Sequence, residues 1–340
     1  MPYFGASFST ACLLNSDKAL FSFFSLMEQL VQQKFNDALA SGDVQFTEAS
    51  KVRKEVGGVN FEITYAPHLG KKPQGGAAEK SDSKPNPFEN PASPLIVEET
   101  DHHRILLNKF CVVPQHLLVV TKEFKDQKEP PFPEDLYETW RVMRSAYGPN
   151  RAVAFYNCGP CSGASQRHKH VQLMPLKDSG AQPPILALYT KMQDKKAGQI
   201  YTMSALPFVH VITPLDRAFI DSTSDKDILT DYLGQMFFGL LDNMFQQMRE
   251  NANPMDMSYN FILTEDFMMM VPRSKEIAVI PFDGQDIELS LNSLAFAGLL
   301  LVKKQEQLEA LQSHPNLMEV LQQVGIPWAP PTNPEEEKVE

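Results

Sequence analysis

Three polar side chains alternate along a stretch of the chain that otherwise has the composition of a β-strand. In the sequence HKHVQLMP, His168, His170 and Gln172 are each separated by one residue. Successive side chains of a strand point to opposite faces, so these three share one face, with neighbouring Cα atoms about 6.6 Å apart. One imidazole can therefore react with a group that the other two side chains contact.

A neutral imidazole is a suitable nucleophile towards a phosphoanhydride because it brings no negative charge to an anionic phosphorus centre. The phosphorylated imidazole is afterwards a good leaving group, which divides a group transfer into two steps. This chemistry requires the other ring N–H to be held by an acceptor, commonly a backbone carbonyl. A metal site and a merely polar strand face are the other two interpretations of the pattern.

The residues just before this strand, GPCSGASQ (159–166), combine small side chains with two hydroxyl groups. Small residues let the main chain approach phosphate oxygens closely, and successive backbone N–H groups can form an anion-binding concavity. Alone, such a segment is typical of a surface turn. Directly before the alternating His, His and Gln, it favours a phosphate-binding turn.

The composition is that of a globular protein, and the net charge argues against a protein that binds nucleic acid. The 340 residues are 43% hydrophobic, which is enough for a sizeable core, and the net charge is −11. Proteins that bind nucleic acid usually carry a basic patch that displaces counterions from the phosphates. No apolar run approaches about 18 residues, so no membrane span is expected. A small anionic ligand fits the charge if the cations are local.

The cysteines indicate a reducing compartment. There are four, and their spacing is uneven: Cys12, Cys111, Cys158 and Cys161. A disulfide framework in a chain of this size is not predicted from so few. We therefore expect the protein in the cytoplasm, with access to the nucleus.

Around the motif, the first half of the chain predicts an α+β arrangement. An amphipathic helix follows Asp17, a candidate N-terminal cap, and FEITYAP reads as a strand. Residues 70–91 are rich in Pro, Gly, Ser and Lys and predict a mobile loop. Short β-rich runs from Leu95 predict an antiparallel meander, followed by a helix over 133–146 and two more strands.

The second half predicts a looser repetition of strands, helix and strands. A strand is expected over 206–212, a long helix over 227–249, a hairpin from SYNFILT and FMMMVPR, and another long helix over 290–311. This copy lacks the HxHxQ pattern. We therefore predict a catalytic N-terminal half (1–180), a C-terminal half that braces it (181–328) and a disordered acidic tail (329–340).

At these residues the sequence resembles the histidine-triad superfamily, in the branch with Gln in place of the last His. The segment SGASQRHKHVQLMPL is similar to the signature of diadenosine tetraphosphate phosphorylases, also called ATP adenylyltransferases. Further similar segments are LNKFCVVPQHLLVVTKEF, FEITYAPHLGKKP and YNFILTEDFMMMVPRSKE. The resemblance implies two histidine-triad-like halves, with a mainly antiparallel sheet flanked by helices, as in hexose-1-phosphate uridylyltransferase.

The resemblance also implies roles for individual residues. His170 would be the nucleophile that takes the AMP group, Gln172 would contact the α-phosphate, and His168 would orient the site. Asn108 matches a ribose contact, although Lys109 replaces an acid of the hexose-phosphate branch. The remaining candidates for phosphate and polyphosphate contacts are Asn157, Ser162, Gly163, Ser165, Gln166, Lys72, Arg273 and Lys275.

The reaction implied by the resemblance is diadenosine tetraphosphate plus phosphate giving ATP plus ADP. His170 would expel ATP from one α-phosphorus, and inorganic phosphate would then take the adenylyl group. The expected cation is Mg²⁺ or Mn²⁺ that screens the phosphates of the substrate without a protein cage, and no organic cofactor is expected. We expect a monomer or a weak homodimer.

Three alternatives remain open in the sequence. The CxxC pair Cys158 and Cys161 could hold structural zinc together with His102, His103 or His168. The same His170 and Gln172 could transfer a nucleotide to a sugar phosphate, against which Lys109 argues. The chain could also bind nucleotides without turnover, although a binding protein has no need of a positioned nucleophile.

Overall fold

The computed structural model describes residues 11–67, 69, 85–176, 183–251 and 257–329, with the side chains of 11–25 left out. Lys72 and most of the predicted loop (70–84) lie outside these residues, as does the tail from 330. The described elements in chain order are α1 (Ala11–Ser41), β1 (Gln45–Phe46), β2 (Ser50–Val56), β3 (Val59–Tyr65), β4 (Ile96–Glu99), β5 (His103–Leu107), β6 (Phe110–Cys111), β7 (Leu117–Thr121), α2 (Pro133–Tyr147), β8 (Ala152–Cys158), β9 (His170–Pro175), α3 (Leu186–Lys191), β10 (Val211–Pro214), α4 (Arg217–Ser222), α5 (Lys226–Asn251), β11 (Tyr259–Leu263), β12 (Phe267–Pro272), β13 (Ile277–Phe282), β14 (Gln285–Ser290), α6 (Ser293–Phe296), β15 (Leu299–Val302), α7 (Gln305–Ser313) and α8 (Leu317–Gln322).

The central element is an eight-stranded sheet, in the order β10-β12-β11-β8-β9-β7-β5-β4 among the described residues. Every neighbouring pair in it is antiparallel. On either side of the β8–β11 boundary the strands correspond: β8, β9 and β7 on one side match β11, β12 and β10 on the other. The helices also correspond, since α2 directly precedes β8 and α5 directly precedes β11 along the chain. The predicted α+β class and the two similar halves are confirmed.

One face of the sheet is covered by the three long helices α1, α2 and α5. Their apolar stripes form a core with the strand residues that point towards them, and Trp140 and Phe237 are among the buried members. Burial of a side chain of this size stabilises the fold by about 1.5–3 kcal/mol. On β9, Val171 and Leu173 belong to this core. The strand parity therefore directs His170 and Gln172 to the opposite face.

The opposite face is covered over only part of its width. The small sheet β15-β3-β2 and the C-terminal helices form a second core there with residues such as Phe155 and Met269. A separate small cluster joins Phe88 to Leu118 and Val120. On this face β9 lies between these two clusters.

Backbone pairing joins the two predicted halves at two places. In the large sheet β8 pairs with β11, and Asn157 lies opposite Asn260. In the small sheet β3 pairs in parallel with β15 near the end of the chain. The site on β9 is therefore assembled from both halves.

The prediction of one long helix over 290–311 is wrong. This segment contains α6, then β15 and then α7. Gly298 ends the first piece with φ +90°, and a Cβ there would lie 2.6 Å from the Cβ of Pro184. The apolar residues that follow pair with β3. Tertiary pairing therefore overrides a helical spacing of apolar residues.

Smaller corrections concern the starts of two elements. The strand expected over 206–212 begins only at Val211, and Phe208 forms an isolated bridge to Pro327. Asp17 lies inside α1, so it is not its N-terminal cap. The helices α2 and α5 and the β11–β12 hairpin are confirmed. None of the described helices is long and apolar enough to cross a membrane.

Candidate active site

Strand β9, which carries His170 and Gln172, lies between β7 and β8 in the centre of the sheet. His170 is opposite Val120, while Gln172 is opposite Leu118 on one side and Phe155 on the other. Gln172 is half-buried at the rim of the site. The predicted alternation of side chains along this strand is confirmed.

The ring of His170 is held with one nitrogen free to react. Its Nδ1–H donates to the carbonyl oxygen of His168 at 2.8 Å. Because a carbonyl can only accept, Nδ1 carries the proton and Nε2 keeps its lone pair. The side chain is 4% exposed, and this burial lowers the pKa of His170 from 6.5 to about 4. At neutral pH the ring is uncharged and has the form that a nucleophile needs.

We expect these properties to appear in the pH dependence of activity and stability. Transfer of a nucleotide to His170 should keep its rate from pH 8 down to about pH 5 and fall below pH 4, where Nε2 is protonated.

His210 is also buried, with its pKa lowered to about 4. The unfolded chain then binds more protons than the folded one between pH 6.5 and pH 4. The free energy of unfolding, measured with urea, should therefore decrease as the pH falls through this window.

The contacts of His168 indicate a structural role rather than a second reactive group. Its Nε2–H donates to the carbonyl oxygens of Thr121 at 2.7 Å and Glu123 at 3.1 Å. Its Nδ1 therefore accepts, and the donor is the Nδ2 amide of Asn86 at 2.9 Å. Both nitrogens are occupied, and burial lowers the pKa of His168. The fixed ring holds in place the backbone carbonyl that orients His170.

Residues 85–91 cover the site, whereas the sequence predicted that they belong to a mobile loop. Phe88 is buried, and its ring centroid lies 5.1 Å from that of His170. The backbone N–H of Phe88 donates to Oδ1 of Asn86, and Arg104 donates to the carbonyl of Phe88 at 3.1 Å. A signal was present in NPFENP, because Asn side chains stabilise such turns and this Phe is a large apolar residue in a polar segment.

The turn after β8 contains two glycines with positive φ, Gly159 at +83° and Gly163 at +79°. A Cβ on Gly163 would lie 2.5 Å from the carbonyl oxygen of Leu291. Ser162 is fully buried, and its hydroxyl donates to the carbonyl of Gly159 at 2.6 Å. Ser162 and Gly163 thus shape the turn, while Ser165 and Gln166 are exposed on its outer part.

The C-terminal half supports this turn through a buried polar cluster. Oδ1 of Asn157 accepts from the Nδ2 amide of Asn260 at 2.9 Å and from the hydroxyl of Ser293 at 2.7 Å. The same Asn260 amide donates to the carbonyl of Ser162 at 2.9 Å. Asn157 is 2% exposed, so its amide lies beneath the turn. Sequence reasoning missed Asn260 and Ser293 because they become neighbours of the motif only through the β8–β11 pairing.

Arg273 lies in the same cluster and is 1% exposed. Its guanidinium donates to Oδ1 of Asn260 and to five backbone carbonyls, those of Ser162, Leu291, Val324, Lys275 and Glu276. Burial lowers the pKa of Arg273 to about 10, so the group is still charged at neutral pH. These bonds favour a structural role over the predicted contact with polyphosphate. Lys275 is exposed at the surface.

Asn108 follows β5 on the same face of the sheet as Gln172. Its Nδ2 lies 3.2 Å from Nδ1 of His116, and its Oδ1 accepts from the backbone N–H of Phe110. The side chain is half-buried and fixed in orientation. Asn108, the predicted ribose contact, therefore lies on the face of the sheet that carries His170 and Gln172.

The alternative of a zinc site receives no support from the cysteine geometry. Sγ of Cys158 lies 3.2 Å from the carbonyl oxygen of Lys128, and burial raises the pKa of this thiol to about 12. A protonated, buried thiol is a poor metal ligand. Within the described ranges, no group of three or more His, Cys, Asp or Glu side chains could hold a metal ion.

Known proteins match nearly the whole chain. Residues 18–191 match the family described as Ap4A phosphorylase N-terminal domain, and residues 204–327 match the ATP adenylyltransferase C-terminal domain. Diadenosine 5′,5‴-P1,P4-tetraphosphate phosphorylase 2 of Saccharomyces cerevisiae is 32% identical over 326 residues, which cover 88% of this chain and 95% of that protein. Protein APA1 of the same yeast is 26% identical over 320 residues, with 88% and 94% covered.

Two solved structures of a yeast enzyme have the same fold. The crystal structure of yeast Ap4A phosphorylase Apa2 in complex with AMP superimposes with a TM-score of 0.72 at 30% identity, covering 90% of this chain and 98% of that one. The structure of Apa2 in complex with Ap4A gives a TM-score of 0.72 at 29% identity, with 89% and 98% covered. The similarity includes both halves of the sheet.

Proposed function

The chain belongs to the family of Ap4A phosphorylases, or ATP adenylyltransferases, and we propose that it converts diadenosine tetraphosphate (Ap4A) and phosphate into ATP and ADP. The observation that carries the proposal is the ring of His170, whose Nδ1–H is committed to a carbonyl while Nε2 is unprotonated and neutral. A binding protein has no need of such a group. The same site would run the reaction in both directions.

In the first step, Nε2 of His170 attacks one α-phosphorus of Ap4A. The bond between that phosphorus and its bridging oxygen breaks, and ATP leaves with the electron pair. In the second step, an oxygen of inorganic phosphate attacks the same phosphorus, the N–P bond breaks and ADP is formed. Each step inverts the phosphorus, so the configuration is retained overall.

The other predicted residues assist these steps. We propose that the amide of Gln172, half-buried next to His170 on the same face, contacts the α-phosphate. The fixed side chain of Asn108 would contact the ribose. The exposed Ser165, Gln166 and Lys275, together with Lys72, would contact the polyphosphate.

A divalent cation, Mg²⁺ or Mn²⁺, would arrive with the substrate. Four linked phosphates bind such an ion through their own oxygens and need few protein ligands. The described residues contain no carboxylate-rich group that would hold it in their place. We propose a reducing, cytoplasmic location, which the reduced thiols of Cys158 and Cys161 support.

The reaction can be tested by incubating the purified protein with Ap4A and Mg²⁺, with and without phosphate, and separating the products. We expect ATP and ADP in equal amounts only when phosphate is present. Without phosphate, one equivalent of ATP and an AMP-labelled protein should form. Release of AMP by water, or transfer of a uridylyl group to a hexose phosphate, would contradict the proposal.

A further inference from the structure

The two strands that carry the site separate where the nucleophile lies. The ladder between β8 and β9 extends from the pair Ala152 and Pro175 to the pair Phe155 and Gln172. Beyond this pair the ladder is not continued, and Asn157 and His170 are not among its paired residues. The backbone groups at this gap are buried, so they need other partners.

The side chain of Gln127 fills the gap between the strands. Its Oε1 accepts from the backbone N–H of His170 at 2.8 Å. Its Nε2 donates to the carbonyl of Asn157 at 2.9 Å and to the carbonyl of His170 at 3.3 Å. Gln127 is 3% exposed, so water cannot replace these bonds. The amide takes the place of a peptide group of a neighbouring strand.

The backbone of Gln127 is itself fixed to β8 and to the segment that leads into β9. Its N–H donates to the carbonyl of Arg167 at 2.7 Å, and its carbonyl accepts from the hydroxyl of Tyr156 at 3.0 Å. One residue earlier, Asp126 forms a bridge with His168. The amide therefore reaches the gap from a rigid support.

We propose that Gln127 is a positioning residue that sets the distance between the nucleophile and the phosphate-binding turn. The backbone of His170 carries the attacking ring, and the backbone of Asn157 leads into the turn that would hold the phosphates. A single amide bonded to both fixes their separation before the substrate binds. This inference rests on the proposed function of the site.

Loss of this amide removes a hydrogen bond from each of three buried backbone groups. The strands then relax, and the imidazole shifts relative to the turn. A displacement of about 1 Å can lower the rate of a positioned reaction about 100-fold. Substrate binding is affected far less, since Gln127 has no surface that a ligand can contact.

The test uses Gln127→Met, which keeps the volume and removes both polar functions, and Gln323→Met as the matched control. The amide of Gln323 bridges an edge of β13 in the same way, since it accepts from the N–H of Val279 at 2.9 Å and donates to its carbonyl at 3.0 Å. Transfer of AMP from Ap4A to the full-length protein is measured in a single turnover without phosphate. Hydrogen exchange of the His170 amide is followed by NMR.

We expect Gln127→Met to lower the maximal rate of AMP transfer about 100-fold, with the half-saturating Ap4A concentration nearly unchanged and the His170 amide exchanging faster. Gln323→Met should match the wild type in all three measurements. A wild-type rate in Gln127→Met, or an equal loss in Gln323→Met, would overturn the inference. If Gln127→Met does not fold, Gln127→Asn keeps the amide but is one methylene too short to bond to both strands, and a wild-type rate in that variant has the same meaning.

These measurements distinguish a wrong role for Gln127 from a wrong function for the protein. A wild-type protein that takes no AMP from Ap4A would refute the function. Hydrogen exchange still decides on Gln127 in that event, because unchanged exchange of the His170 amide in Gln127→Met would show that the amide does not hold the strand.

Discussion

Replacing His170 with alanine is expected to abolish AMP labelling of the protein and to lower the rate of Ap4A phosphorolysis on the order of 10⁴-fold or more. The reason is that in the proposed mechanism Nε2 of this ring forms the bond to phosphorus, and alanine has no atom to take its place. The remaining binding groups can orient Ap4A, but they cannot form the intermediate. Labelling with radioactive Ap4A, followed by denaturation and filter retention, measures the effect directly.

Two variants make this prediction specific. His168→Ala should retain some labelling, because the carbonyl that orients His170 belongs to the backbone and is kept in alanine, although the ring that fixes its position is lost. His210→Ala is the matched control, since Nδ1 of His210 also donates to the carbonyl two residues earlier, that of Phe208, at 2.8 Å. Its Nε2, however, accepts from the backbone of Met203, so it cannot attack a substrate. Equal labelling of the wild type and His170→Ala would remove His170 as the nucleophile.

The sequence was sufficient to predict the face of the site, because strand parity depends only on spacing. It could not show which nitrogen of His170 reacts, since that is determined by the carbonyl of His168 in the folded chain. The sequence also gave no indication of the residues that hold the site in place. Gln127, Asn86 and Asn260 are ordinary polar residues in sequence, and they are recognised only by the partners that folding brings to them.

For Arg273 the sequence predicted a contact with the ligand, but in the structure its side chain is buried and supports the turn. A charged residue near a family signature was expected to bind polyphosphate. Its guanidinium donates instead to carbonyls that include that of Ser162, beneath the turn. The turn therefore depends on the C-terminal half for its shape. This dependence explains why a half without the HxHxQ pattern is part of the site.

Gly163→Ala is expected to lower kcat/KM for Ap4A about 100-fold or more, because it displaces the phosphate-binding turn from the nucleophile. The residue has φ +79°, and an added Cβ would lie 2.5 Å from the carbonyl of Leu291 and 3.0 Å from the Cβ of Asn292. The nearest of these atoms is backbone, so no flexible side chain can move aside. We expect the free energy of unfolding to decrease by about 1–2 kcal/mol from the backbone conformation alone, and by more from the contact.

The control separates the backbone conformation from the contact. Gly284, in the turn between β13 and β14, has φ +73° with nothing within 4 Å of an added Cβ. Gly284→Ala should therefore decrease the free energy of unfolding by about 1–2 kcal/mol, measured with urea, and leave kcat/KM unchanged. If Gly163→Ala were as active as Gly284→Ala, the 159–166 turn would not be part of the site. A loss of activity confined to Gly163→Ala places the phosphates of Ap4A at this turn, because both variants introduce the same backbone conformation and only one moves the turn.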